Sequence, residues 1–143
     1  MKKIAIFFTI IILIVAGIAY MYINYQINIA KVKQENSVYE NYYKREIYGS
    51  DVATLINRAV DSNKKNDVEK DSKGQYKDNG TNSINIDLKM LDDEKIYNME
   101  KFHKSGVMQF VEYYRDIKFK CTKIEYHEQT GKIKYLLIEQ ITK

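Results

Sequence analysis

The side chains able to do chemistry in this chain are few. It holds two histidines, His103 and His127, a single cysteine, Cys121, and one alternating run of carboxylates, Asp67-x-Glu69-x-Asp71. A zinc site needs three or four suitable ligands at short spacings. Neither histidine has a metal-binding partner at i+3 or i+4. His103 reads as a surface residue near the end of a short polar helix. His127, beside Glu128, reads as a solvated residue of a hairpin loop. Cys121 with His127 would make a thiol–imidazole pair for nucleophilic attack. Cys121 falls on the apolar phase of a strand pattern, however, where a small buried hydrophobe is the better reading. The alternating carboxylates have the spacing of half a calcium loop. The sixth position of such a loop should be glycine and is Ser72, with Gly74 two residues late, and Lys64, Lys65, Lys70, Lys73 and Lys77 oppose a cation.

Asp92-Asp93 sits where a helix start explains paired carboxylates through the dipole. Gly74 and Gly80 are isolated, so no phosphate-cradling loop is present, and no serine lies in a Gly-x-Ser-x-Gly elbow. Tyr39, Tyr42, Tyr43 and Tyr48 could stack on sugars. Such sites favour tryptophan, which is absent, and the rings fall near a helical stripe that reads as packing. No catalytic, cofactor-binding or metal-binding residue is assigned, no cofactor is implied, and no enzyme is expected.

The elements that carry these residues begin with an apolar run over residues 4–23, from Ile4 to Ile23, without a charge or a proline. About 20 such residues suffice for a helix to cross a bilayer core. Tyr20, Tyr22 and Tyr25 cluster at its far end, where amphipathic rings prefer the headgroup layer. Lys2 and Lys3 precede the run, and the first cations after it are Lys31 and Lys33. By the positive-inside rule the N-terminus stays cytoplasmic and the body is exported. The competing reading is a cleaved signal peptide, with Ile4 to Val15 as its apolar region and a cut after Ala19. The apolar stretch runs past that cut with no polar segment between, which favours an uncleaved signal-anchor. A lipid anchor is not expected, since no cysteine lies near the run and Lys2 stands where myristoylation needs glycine.

Past the anchor, residues 24–143 are enough for one domain with a modest core. Taking Lys2 and Lys3 from the 23 basic residues leaves 21 against 19 acidic, a net of +2. No basic stripe marks a nucleic-acid surface, so no nucleic-acid partner is expected. One cysteine cannot form an internal disulfide, so packing alone must hold the domain. The absence of proline and the abundance of Ile, Asn, Lys and Tyr fit an AT-rich genome.

The body divides into residues 24–63, a helical stalk and amphipathic helix; 64–82, a polar loop expected to be mobile; and 83–143, an antiparallel sheet with short helices. Helix-compatible sequence extends to Tyr48 before a turn at Gly49-Ser50, with Ser50 a candidate cap. Val52, Leu55, Ile56, Ala59 and Val60 then keep helical spacing until about Ser62-Asn63. The loop has nine charges, with Val68 and Tyr76 its only large apolar residues. Ile84, Ile86, Leu88 and Met90 alternate as a half-buried strand over 83–90. Asp92 could cap a short helix with Leu91 and Ile96 as its hydrophobic staple. Val107, Phe110, Val111 and Tyr114 suit a helical turn. Ile117, Phe119 and Cys121 alternate, and Ile124 and Tyr126 continue on the shifted phase, which predicts a bulge near Thr122-Lys123. A hairpin loop at 127–131 with Gly131 at positive φ leads to a return strand over 132–141. The expected fold is α+β, with helices packed on a small antiparallel sheet of about three strands.

Two segments carry a resemblance. One is Asn36-Ser37-Val38-Tyr39-Glu40-Asn41-Tyr42 followed by Gly49-Ser50-Asp51-Val52-Ala53-Thr54-Leu55-Ile56-Asn57 and Asn63. The other is Cys121-Thr122-Lys123-Ile124-Glu125-Tyr126 with Thr130-Gly131-Lys132-Ile133. Together they resemble small single-pass exported membrane proteins of Gram-positive bacteria whose role is not established. The resemblance implies no catalytic residues. The expected architecture is also pilin-like by analogy, an apolar helix extended by an amphipathic one and then a sheet. A prepilin has a glycine before the apolar run and a glutamate five residues into it; here Gly17 lies at the far end and nothing acidic precedes Glu35. The expected role is a non-enzymatic interaction or structural module of the cell envelope, in contact with the bilayer and with a protein or envelope partner. The alternative is a pilin-like subunit of a secretion or surface-filament system.

Overall fold

A proline-free apolar stretch with no competing turn residues has one way to satisfy its backbone away from water, and it takes it. In the computed structural model, which describes residues 2–91 and 95–142, α1 runs from Lys2–Glu40 without a break. The chain divides into two compact units, Met1–Gln34 and Glu35–Lys143. In the first unit the apolar side chains are uncovered, Ile4 being 62% and Leu13 66% exposed. Thr9, the hydroxyl in the middle of the apolar run, donates to the Ala5 carbonyl at 2.9 Å and so is satisfied within the helix. The helix is long and apolar enough to span a membrane.

The second unit begins with the last turns of α1, where Asn36 and Tyr39 are buried. Helix was expected to continue to Tyr48, and it stops at Glu40. Lys44 takes a left-handed φ of 58° and gives its backbone N–H to the Cys121 carbonyl at 3.0 Å. The chain then forms β1 (Glu46–Tyr48), paired antiparallel to β4 (Lys118–Tyr126), which buries Ile47 against Phe119. α2 (Gly49–Lys65) follows at once. The residue at the N-cap is Tyr48 rather than Ser50, and the Asp51 carboxylate in the first turn accepts the Tyr48 N–H at 3.0 Å. Val52, Leu55, Ile56, Ala59 and Val60 are all buried, as their spacing requires.

The polar loop after α2 contributes to the core: Val68 and Tyr76 are 8% and 6% exposed and belong to the main cluster. Two carboxamide and carboxylate groups organise its backbone. Asn79 Oδ1 accepts from the N–H groups of Thr81, Asn82 and Ser83, and Asp71 Oδ1 from those of Lys73 and Gln75.

β2 (Asn85–Lys89), β3 (Ile96–Asn98), α3 (Met99–Ser105), α4 (Val107–Tyr114), β4 and β5 (Ile133–Gln140) complete the unit. Among the described residues the sheet has five strands in the order β1-β4-β5-β2-β3. The expectation of about three antiparallel strands is corrected in two ways. β1 and β3 have three residues each, too short for alternation to reveal them. β2 pairs parallel to β5, with Leu88 beside Ile138, because β3, α3, α4 and β4 intervene and supply the crossover a parallel pair needs. Ile96 lies in β3 and is exposed, not a staple, and the expected cap Asp92 lies outside the described residues. The cap of α3 is Asn98, whose side chain accepts the Lys101 N–H at 3.1 Å. The bulge falls where the phase slip put it, with a register shift between Cys121 and Lys123, and Gly131 has φ of 67°.

α2 and the sheet share one core. Leu55, Ile56 and Val60 cluster with Ile86, Leu88, Phe119, Leu136 and Ile138. Phe110 of α4 closes it, 5.0 Å from the Phe102 ring, 4.9 Å from Tyr114 and 6.1 Å from Phe119.

Candidate functional site

β4 carries both Cys121 and the residue after its end, His127, and the strand keeps them apart. Six residues of extended chain span roughly 20 Å. Cys121 is fully buried, as expected, and desolvation pushes its thiol up to about 11. Its Sγ lies 3.6 Å from the Lys123 carbonyl in the bulge. The fold does not assemble the thiol–imidazole pair.

His127 was expected in solvent and is 2% exposed. The hairpin tucks it beneath the loop that precedes β2, where Nε2 lies 2.8 Å from the Ser83 carbonyl oxygen. A carbonyl can only accept, so Nε2 carries the proton and Nδ1 is left to face Asp78 Oδ1 at 3.7 Å. Asp78 is also paired with Lys134 at 2.8 Å and accepts the Gly80 N–H at 2.8 Å. Lys134 and that N–H hold the Asp78 carboxyl below its usual range. A carboxylate depressed in this way contributes stability above its unfolded value near pH 4, lost as pH falls through the lower folded value. Asp71 has the same sign, and half-buried Asp87, raised by desolvation, the opposite one. Asp78→Asn is therefore expected to flatten the acid limb of a thermal-midpoint profile below about pH 5. An unchanged acid limb would show that the Asp78 pairs do not hold the hairpin.

The calcium-like run does not converge. Asp71 caps a turn, Glu69 pairs with Lys77 at 3.3 Å, and Asp67 sits at φ of 50°. Among the described residues no group of three or more His, Cys, Asp or Glu is placed to hold a metal ion. Asp92-Asp93 lies outside the described residues. The tyrosines form no platform: Tyr39 is buried, Tyr42 half-buried, and Tyr43 and Tyr48 are exposed. His103, expected at the surface, is half-buried, with its Nδ1 enclosed and unpartnered.

The best-framed cleft lies between the last turns of α1, α2 and the start of β5, with a volume of about 450 Å³. Buried Asn36, Tyr39, Ile84 and Ile133 line it, and Glu35, Arg58, Asp61 and Lys132 add both signs of charge. Asn36 holds the α1 end to the hairpin, donating to the Gly131 carbonyl at 2.8 Å and accepting the Ile133 N–H at 2.9 Å. Burial pushes the Tyr39 phenol up to about 12, against the opposing pull of Arg58, so it remains a neutral hydrogen-bonding group. Lys132 pairs with Glu35 at 2.8 Å. The lining thus combines an apolar base with charges of both signs. The chain matches no family model, no curated protein and no solved structure.

Proposed function

We propose that this chain is a membrane-tethered extracytoplasmic binding module, held in the bilayer by the apolar part of α1 with its N-terminus in the cytoplasm, and without catalytic activity. The observation that carries the reading is the uncovered apolar helix, whose 18-residue window has no buried residue and needs lipid to cover it. Lys2 and Lys3 on its leading flank supply the orientation. The α1–α2–β5 cleft is the docking site for a protein or envelope component, because it combines buried tyrosine and isoleucine with charges of both signs.

The mass of the mature N-terminal peptide, measured separately from membranes and medium, tests the tether. A peptide beginning at Met1 in the membrane fraction is expected. One beginning at Tyr20 in the medium would replace the tether with a secreted domain. Crosslinking in intact membranes tests the partner, and a monomer with nothing captured would remove the binding role.

A second reading, a pilin-like subunit, draws on the unbroken passage of α1 from its apolar run into the turns that bury Asn36 and Tyr39. It requires a chain trimmed ahead of Ile4 and recovered in sheared filament fractions.

A further inference from the structure

A second pocket, also of about 450 Å³, opens between the 64–82 loop and α3. Lys70 and Lys73 reach it from the loop, and Lys101 and Lys104 from the helix. In α3 the spacing of three residues puts Lys101 and Lys104 on one side of the helix, and the loop brings Lys70 and Lys73 to the same pocket. Lys77, Lys89, Lys118, Lys123, Lys132 and Lys134 each have a carboxylate within 4.0 Å, and among the described residues none of the four pocket lysines does, Asp71 acting on Lys73 only at longer range. Instead Lys70 lies over the Tyr76 ring at 4.5 Å and Lys101 over Tyr97 at 3.6 Å, which fixes two ammonium groups without neutralising them. The one carboxylate in the lining, Glu100, accepts the Tyr76 N–H at 3.0 Å. Four lysines against that single carboxylate give the lining a charge of +3, more than the +2 of residues 24–143 together.

Two polar atoms in the same lining are enclosed with no hydrogen-bond partner, Tyr76 Oη and His103 Nδ1. Tyr76 is 6% exposed. Buried polar groups are almost always bonded, and an orphan asks for the ligand that completes it. A phenol hydroxyl and an imidazole N–H are both donors to an oxyanion, and lysines are point-charge partners for phosphate.

We propose that this pocket binds a phosphate-bearing anion, with Lys70, Lys73, Lys101 and Lys104 supplying charge and Tyr76 and His103 supplying directed donors. The volume suits a phosphate ester or a phospholipid headgroup, which share this chemistry. The site is separate from the α1–α2–β5 cleft and does not depend on the role assigned to it.

The test uses the full chain in nonionic micelles and follows lysine acetylation by mass spectrometry. Inorganic phosphate or pyrophosphate, against sodium chloride at matched ionic strength, is expected to protect the four pocket lysines saturably and to leave Lys44 and Lys120 unprotected. Tyr76→Phe keeps the ring and removes only the orphan hydroxyl. It is expected to weaken that protection about tenfold without lowering the thermal midpoint, and Lys73→Ala to weaken it by a similar factor. Protection seen only in phosphatidylglycerol nanodiscs, and not in phosphatidylcholine ones, supports the site and assigns the anion to a lipid headgroup. The proposal is overturned if Lys44 and Lys120 are protected equally, if no arm protects the pocket, or if both variants leave protection unchanged.

Discussion

Gly49→Ala is expected to lower the stability of the second unit by about 3 kcal/mol or more, at the upper end of what overpacking costs. Gly49 opens α2 and gives its N–H to the Ile117 carbonyl at 3.0 Å. A Cβ built there would overlap the Tyr114 carbonyl oxygen and stand 2.5 Å from its carbonyl carbon. Both are backbone atoms at the end of α4, so no rotamer change makes room. Relief requires α2 to move off the α4–β4 corner, and with it Val52, Ala53 and Ile56, which lie in the core. A domain of this size has about 5–15 kcal/mol in total, so the loss would show plainly in urea denaturation of the full chain. Gly17→Ala is the control, since its added Cβ meets nothing within 4 Å. Equal stability of the two variants would mean that the close approach at Gly49 is not maintained in solution.

Gly49 also shows how the sequence can be right about a place and incomplete about the cause. A glycine beside Ser50 marked a turn, yet only its packing against Tyr114, distant in sequence, explains why no side chain fits. The elements that were legible repeat a pattern over many residues. The apolar run forms α1, the five-residue stripe of α2 is wholly buried, and the phase slip in β4 became a bulge at Cys121/Lys123. β1 and β3 were not legible because three residues hold no period. The parallel β2–β5 pair was hidden for a different reason: strand alternation records which face is buried and not which neighbour lies alongside.

The same limit governs the candidate sites. Hairpin loops are usually solvated, so local sequence put His127 in water. Its burial depends on Ser83 and Asp78, 44 and 49 positions away, which no spacing rule connects. Of the pocket lysines, Lys70 and Lys73 were read as opponents of calcium in an acidic segment, which was sound about their charge. What the sequence could not supply was α3, which brings Lys101 and Lys104 opposite Lys70 and Lys73. Val68 and Tyr76 were the one local hint, being the only large apolar side chains in that loop, and both are buried.

Asn63 is the position where one polar side chain matters most to the sheet. It is fully buried near the end of α2, donates through Nδ2 to the Ile84 carbonyl at 2.7 Å and accepts the Ile84 N–H on Oδ1 at 2.8 Å. Ile84 stands just ahead of β2, which runs between β5 and β3, so this clasp fixes where β2 enters the sheet. Asn63→Ala strands a buried donor and a buried acceptor, each costing about 1–3 kcal/mol, for a combined loss of about 3 kcal/mol or more. The space left by the carboxamide can admit a water that recovers part of this. Asn63→Leu fills that space and shuts the water out, so it is expected to be at least as damaging despite being larger and apolar. Asn63→Asp keeps the acceptor, loses the donor and buries a charge, which is unfavourable on both counts. Urea midpoints give the order, and amide exchange at Ile84 gives the cause, since its protection should collapse in all three variants. A stable leucine variant with Ile84 still protected would mean that Asn63 serves by its volume and that β2 is placed by the hydrophobic core alone.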